Sequence, residues 1–228
     1  MVDLSNVPAI IQTGKTLFEI IINIGNNEIV TGIATIMGLS GFSLRDLIGK
    51  KLFSNLFYKI KDHFKGKETT EKQEKILRDC FLELEDYIKT CEELDENVFE
   101  HISDVLINGI DNEDILTREY IKILKKMSWI DLIVLIDMDI IKEIRTADRI
   151  RYVEDMQKEY FSIFTTQHRD IPYELVQESL EKLKKMNLIN NIGVSYRETL
   201  SNLSTVHKIH LRSSLGDKIV NLINGNNE

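Results

Sequence analysis

Gly14-Lys15-Thr16 is the first group whose residue types suggest chemistry, because a glycine-lysine-threonine run can cradle a phosphate. The spacing around it opposes that use. Ala9 stands where a phosphate loop needs its first glycine, Ile10-Ile11-Gln12-Thr13 are too branched to close tightly, and the stretch ending at Val7-Pro8 leaves almost no room for the preceding buried strand. Leu132 to Asp137 imitates the apolar strand and acidic residue that hold magnesium in such enzymes, but two incomplete halves do not make a site. The histidines His63, His101, His168, His207 and His210 are scattered, and no cysteine or carboxylate cluster joins His207 and His210 at metal spacing. Glu83, Asp86, Glu92 and Glu93 lack the glutamate-x-x-histidine partners of a di-metal bundle. Neither a serine elbow nor a dinucleotide glycine loop is present. These readings give no catalytic residue, no metal, no cofactor and no small-molecule ligand, and the expectation is a non-enzymatic protein.

Cys80 and Cys91 fall in one expected helical region. They share a face but stand roughly 16 Å apart along the axis, too far to bridge. Buried thiols in a reducing compartment fit that spacing. The first residues lack a basic segment followed by an apolar run and a small-residue cleavage site, so a cytoplasmic protein is expected. The composition, poor in proline and rich in isoleucine, lysine and asparagine, is that of a low-GC, bacterial or phage-like source. With 228 residues and 43% hydrophobic content the chain can bury a real core. A net charge of -8 opposes a general nucleic-acid coat, while leaving room for a local basic face.

The elements expected to position these residues are mostly helices. Leu4 to Ile24 is a first apolar helix, and Ile29 to Leu44 is an uncharged, glycine-spaced segment too short for the roughly 20 residues of a bilayer span, hence a buried helix. Ser43 caps a helix to about Phe64 whose apolar stripe includes Phe53 and Phe57 and whose polar face carries Lys50, Lys51 and Lys59. Basic residues with aromatics suit an interfacial helix, so these five residues are candidates for contact with an anionic membrane surface or a partner protein. Thr69 or Thr70 caps the next helix, to about Asp95, and Val98 to Ile107 continue the helical beat. Their surface is acidic and could neutralise the basic helix within one fold or across a dimer. Asp111 to Asp114 opens another helix, Ser128 with Asp131 caps a very apolar one over Trp129 to Ile144, and Ala147 to Phe164 is the last before a linker.

In the last quarter, Leu175, Val176, Leu180, Leu183 and Met186 recur at helical spacing after Pro172, and Asn187 fits a left-handed cap. Leu188-Ile189 begins one short strand, and Val206, Ile209 and Leu211 alternate along a second. The phrase Leu180, Leu183, Lys184 or Lys185, then Asn187-Leu188-Ile189, resembles the helix end that precedes the wing in winged-helix proteins. Ser213 and Gly216 resemble the threonine and glycine that leave the wing, with Arg212 in a leucine's place. The resemblance implies a small α+β unit with a two-stranded hairpin. It also makes Lys182, Lys184, Lys185, Arg197, Lys208 and Arg212 candidate nucleic-acid contacts, although the helix face that would read bases carries Glu174, Glu178 and Glu181.

The expected fold is therefore mainly α, with eight or nine helices, a helical domain over 1–165 and a winged-helix-like subdomain over 166–228. The expected role is a cytoplasmic interaction or scaffold protein acting through helix faces, as a dimer or with a protein partner. The alternatives are a DNA-binding regulator using the last quarter and a peripheral protein at the inner membrane face.

Overall fold

The computed structural model describes residues 17–23, 44–91, 94–138, 142–145, 164, 166–189, 206–209 and 212–226. Gly14-Lys15-Thr16, most of the uncharged segment Ile29 to Leu44, Glu92, Glu93, Arg197, His210 and most of the helix expected over Ala147 to Phe164 lie outside them. The described part is mainly helical: α1 (Leu17–Asn23), α2 (Leu44–Phe64), α3 (Glu71–Thr90), α4 (Glu96–Asp111), α5 (Thr117–Leu124), α6 (Trp129–Asp137), α7 (Tyr173–Lys185) and α8 (Ser214–Asn224), with strands β1 (Lys142–Arg145) and β2 (Val206–Ile209). The chain divides into two compact units, Met1–Lys126 with Leu222–Glu228, and Met127–Asn221. The boundary expected at 165/166 falls inside the second.

In the first unit, α3 starts where its sequence supplies a complete cap. The Gln73 amide donates to Thr70 Oγ1 at 3.1 Å, and the Thr70 amide donates to Gln73 Oε1 at 3.0 Å. Asp95 does the same for α4, accepting from the amides of Asn97 and Val98. Burial follows the apolar period: Ile76, Leu77, Cys80, Phe81, Leu84, Tyr87 and Ile88 on α3 face inward, as do Val98, Phe99, Ile102, Val105 and Leu106 on α4. An aromatic cluster joins three helices, with Phe53 5.4 Å from Phe81 and 5.8 Å from Phe99, and Phe57 5.4 Å from Phe81.

The helix expected to open at Asp111–Asp114 begins instead at Thr117. Asp111 ends α4, and Asn112 to Asp114 form the corner after it, where Glu113 adopts φ +50 and the Asp114 amide donates to Gly109 O at 2.9 Å. Gly109 is required there, because a Cβ would collide with the fully buried side chain of Thr117. Gly109→Ala is expected to cost about 1–2 kcal/mol, the overpacking outweighing alanine's better helix propensity. A thermal melt read by circular dichroism checks this, and an unchanged midpoint would show that Thr117 swings aside freely.

In the second unit, Ser128 and Asp131 form the expected capping box of α6. The single helix expected over Trp129 to Ile144 is corrected: α6 ends at Asp137, and Lys142–Arg145 is strand. β1 pairs antiparallel with β2, Lys142 opposite Ile209 and Arg145 opposite Val206.

That pairing overturns the winged-helix-like unit expected over 166–228. The hairpin was to be made by Leu188-Ile189 and Val206–Leu211, both within the last quarter. Val206–Ile209 instead takes its partner from 142–145, and Ile189 makes an isolated bridge to Arg212. The cause is local. Asn187 turns left-handed at φ +57, the Leu188 amide donates back to Leu183 O at 3.0 Å, and Leu188 O accepts from the Ser213 amide at 3.0 Å. Leu188 is thereby tied to the end of α7 and to the start of α8.

Candidate functional site

The α4–α5 corner holds two aliphatic side chains out in solvent. Ile115 is 72% exposed and Leu116 51%, in a unit whose other large apolar side chains are mostly buried. The corner is rigidly built. Asp114 Oδ1 accepts from the Leu116 amide at 2.9 Å, and Asp114 O accepts from the Thr117 amide and from Thr117 Oγ1. Glu113 Oε1 accepts from Thr70 Oγ1 at 2.8 Å, and Lys72 Nζ lies 3.4 Å from Glu113 Oε2, so the N-terminus of α3 pins the corner. A third exposed aliphatic of this unit, Leu82 on α3, adjoins Glu83 in sequence.

Glu83 is the centre of a charge network. It accepts from Arg118 at 2.7 Å and from Lys125 at 3.1 Å, and Lys125 also reaches Asp86 at 2.8 Å. Burial pushes the Glu83 carboxyl up, but the two cations outweigh it and hold the group below the usual glutamate range. One turn before Glu83 on α3, burial drives the Cys80 thiol up to about 12, so it stays protonated and inert at neutral pH.

The basic helix expected to meet a membrane or partner is α2, and its charges are answered within the fold. Lys51 Nζ donates to Glu96 at 2.7 Å, and Lys59 Nζ to Glu100 at 3.2 Å and Asp104 at 3.0 Å. Phe53 and Phe57 are buried to 0% and 1% exposure, and Phe64 to 1%. The Lys50 side chain lies outside the described atoms. Peripheral membrane contact through this helix is therefore corrected: Phe53, Phe57 and Phe64 are core, and Lys51 and Lys59 pair with carboxylates of α4. No described helix is long and apolar enough to cross a membrane.

Three of the six candidate nucleic-acid residues are likewise spent internally. Lys182 Nζ donates to Asp131 Oδ2 at 2.6 Å, Lys184 Nζ to Glu181 Oε1 at 2.7 Å, and Arg212 Nε to Asp217 Oδ1 at 2.7 Å, with Arg212 Nη1 3.1 Å from Ile136 O. Lys185 is exposed, and the Lys208 side chain and Arg197 lie outside the described atoms. The outward side of α7 exposes Tyr173, Glu174, Gln177, Glu178 and Glu181, an acidic face that phosphate would avoid. With no wing hairpin of the expected form among the described residues, and with Lys182, Lys184 and Arg212 paired to carboxylates, the DNA-binding reading is corrected too.

Two carboxylates that the sequence did not single out for these roles organise the interiors. Asp131, 2% exposed, also accepts from Ser179 Oγ at 2.5 Å, which joins α6 to α7. Glu74, 5% exposed, accepts from the amides of Leu17 at 2.7 Å and Phe18 at 3.2 Å. The available signal for Glu74 was its register: it falls on the same helical stripe as Leu77, Phe81 and Leu84, where a carboxylate must find donors.

Histidines pair with carboxylates rather than with one another: His63 Nε2 lies 2.5 Å from Asp111 Oδ2, and His168 Nε2 2.5 Å from Asp137 Oδ2. Among the described residues no three histidine, cysteine or acidic side chains gather to hold a metal ion. No protein-family model, no curated protein and no solved structure matches this chain.

Proposed function

We propose that this chain is a non-enzymatic, cytoplasmic interaction protein whose α4–α5 corner is the contact surface, and that its first partner is a second copy of itself. The observation that carries this reading is the pair Ile115 and Leu116, 72% and 51% exposed on a corner fixed by hydrogen bonds to Asp114 within it and by Thr70 of the neighbouring helix start. Exposed aliphatics on a rigid support lose little entropy when covered. The charged residues around them are answered within each copy, Glu113 by Lys72, Glu119 by Lys122 and Arg118 by Glu83, so an isologous contact over the two aliphatics brings no unanswered charge of one sign against its like. The unbridged thiols of Cys80 and Cys91 fit a reducing compartment.

Light scattering across a concentration series tests this. The wild type is expected to rise above monomer mass with concentration, and the Ile115→Asp/Leu116→Asp double variant to stay at monomer mass with an unchanged circular dichroism spectrum. A wild type that remains monomeric throughout the series would remove the self-association reading.

A further inference from the structure

We propose that α1 is a releasable latch, seated on α2 and α3 by Glu74 and two apolar side chains, and that it opens as a unit while the rest of its compact unit stays folded. α1 has 7 residues. Isolated helices shorter than about 12–15 residues are marginal in water, so α1 depends on its seat. That seat is specific. Phe18, 1% exposed, meets the Phe64 ring edge-on at 4.8 Å, and Ile21 is 0% exposed. The Glu74 carboxylate caps α1 from the neighbouring helix, taking the Leu17 amide at 2.7 Å and the Phe18 amide at 3.2 Å. Arg78 Nη2, 3.2 Å from Glu74 Oε1, steadies the carboxylate from the next turn of α3.

The remainder of the unit is held by contacts that do not pass through α1. The cluster of Phe53, Phe57, Phe81 and Phe99 joins α2, α3 and α4, the Lys51–Glu96 and Lys59–Asp104 pairs join α2 to α4, and Glu83 with Arg118 and Lys125 joins α3 to α5. Loss of α1 removes none of these, which is the condition for a local opening well below the free energy of global unfolding. The vacated seat is an aromatic edge beside a carboxylate set to accept two consecutive amides. That chemistry recognises the first turn of an amphipathic helix, and in the closed state α1 occupies it.

Native-state hydrogen exchange on the full chain, over a series of sub-denaturing guanidinium concentrations, tests the latch. Peptides covering Leu17–Asn23 are expected to exchange through an opening that depends weakly on denaturant, while α4 follows the steep dependence of global unfolding. Glu74→Gln is expected to raise exchange over Leu17–Asn23 by about tenfold or more, since hydrogen bonds to a charged acceptor are replaced by weaker ones, and to leave α4 unchanged. Leu17–Asn23 merging with α4 on one steep isotherm in the wild type would overturn the proposal, and so would a Glu74→Gln effect of equal size in both regions. The wild-type isotherms decide the matter even if the variant does not fold.

Discussion

Asp131→Ala is expected to destabilise the Met127–Asn221 unit by about 3 kcal/mol at neutral pH and to erase part of its acid sensitivity. Asp131 takes three donors from three places: the Ser128 amide at 2.7 Å, Ser179 Oγ at 2.5 Å and Lys182 Nζ at 2.6 Å. Alanine leaves the Ser179 hydroxyl, in a residue 4% exposed, and the Ser128 amide without their acceptor. The orphaned Ser179 hydroxyl, being buried, costs about 1–3 kcal/mol, and the Ser128 amide, in an exposed residue that water reaches, adds less, together with the lost cap of α6. Lys182 contributes less than a buried partner would, because its side chain is 40% exposed and can turn to water.

The pH dependence has a definite sign. Burial pushes the Asp131 carboxyl up, but the hydrogen bonds from Lys182, the Ser128 amide and Ser179 outweigh it and bring the group below the ordinary aspartate value. A carboxyl depressed on folding stabilises fully above its unfolded pKa of about 3.9, and that stabilisation is lost as pH falls through the lower folded value. The gap between wild type and variant should thus hold from neutral pH to about 5 and close below about 4. Trp129, the protein's 1 tryptophan, begins α6 and reports unfolding of this unit by fluorescence. A gap under about 1 kcal/mol at neutral pH, or one that persists undiminished at acid pH, would show that Asp131 does not hold α6 to α7.

The contrast between Asp131 and its partners shows what the sequence could convey. Ser128 and Asp131 are three residues apart, and that spacing announced the cap. Ser179 and Lys182 lie 48 and 51 residues away, and nothing in a linear pattern links them to Asp131. The same distinction separates the helices from the strands. α3 and α4 were legible because the apolar stripe and the cap at Thr70 are local features, although Asp95, expected near the end of α3, caps α4 instead. β2 was legible as an alternating run, but its partner was a long-range choice, and the resemblance in the last quarter placed that partner at Leu188-Ile189 instead of Lys142–Arg145.

Charge misled for a related reason. A lysine in a sequence shows its sign and not its carboxylate, so Lys51, Lys59, Lys182 and Lys184 could be read as waiting for phosphate. The acidic partners of Lys51, Lys59 and Lys182, on α4 and α6, appear only when the helices pack, whereas Glu181 stands one turn before Lys184 on α7 itself. The acidic face opposite the basic helix was expected either within one fold or across a dimer, and packing chose the first. The corner at Ile115 and Leu116 was hidden in the opposite way. Two aliphatics after an acidic run look like the start of a buried stripe, and the turn at Glu113 sends them outward instead.

Gly216→Ala is the second large effect, a net loss of about 2–3 kcal/mol from the same unit. Two terms oppose each other. Alanine inside a helix is favoured over glycine by about 1 kcal/mol, which alone predicts a more stable protein. Against it, a Cβ at Gly216 would collide with the Leu188 carbonyl oxygen and stand 3.4 Å from Leu135 Cδ1. The obstacle is backbone, not the end of a flexible side chain. Leu188 O accepts from the Ser213 amide at 3.0 Å, the Leu188 amide is tied to Leu183 O at 3.0 Å, and the Asn187 carbonyl accepts from Ser213 Oγ at 2.7 Å. The Gly216 amide itself donates to Ser213 Oγ at 3.1 Å, so α8 cannot slide away without breaking its own first turn. The clash therefore wins over propensity. Ser214→Ala, at an exposed neighbouring position, is the control and should stay within about 0.5 kcal/mol of wild type. Denaturation followed by Trp129 fluorescence should rank the two variants in that order. Equal stability of Gly216→Ala and wild type would mean that α8 does not rest against Leu188, and with it the explanation for why Leu188-Ile189 forms no hairpin with Val206–Ile209 would fall.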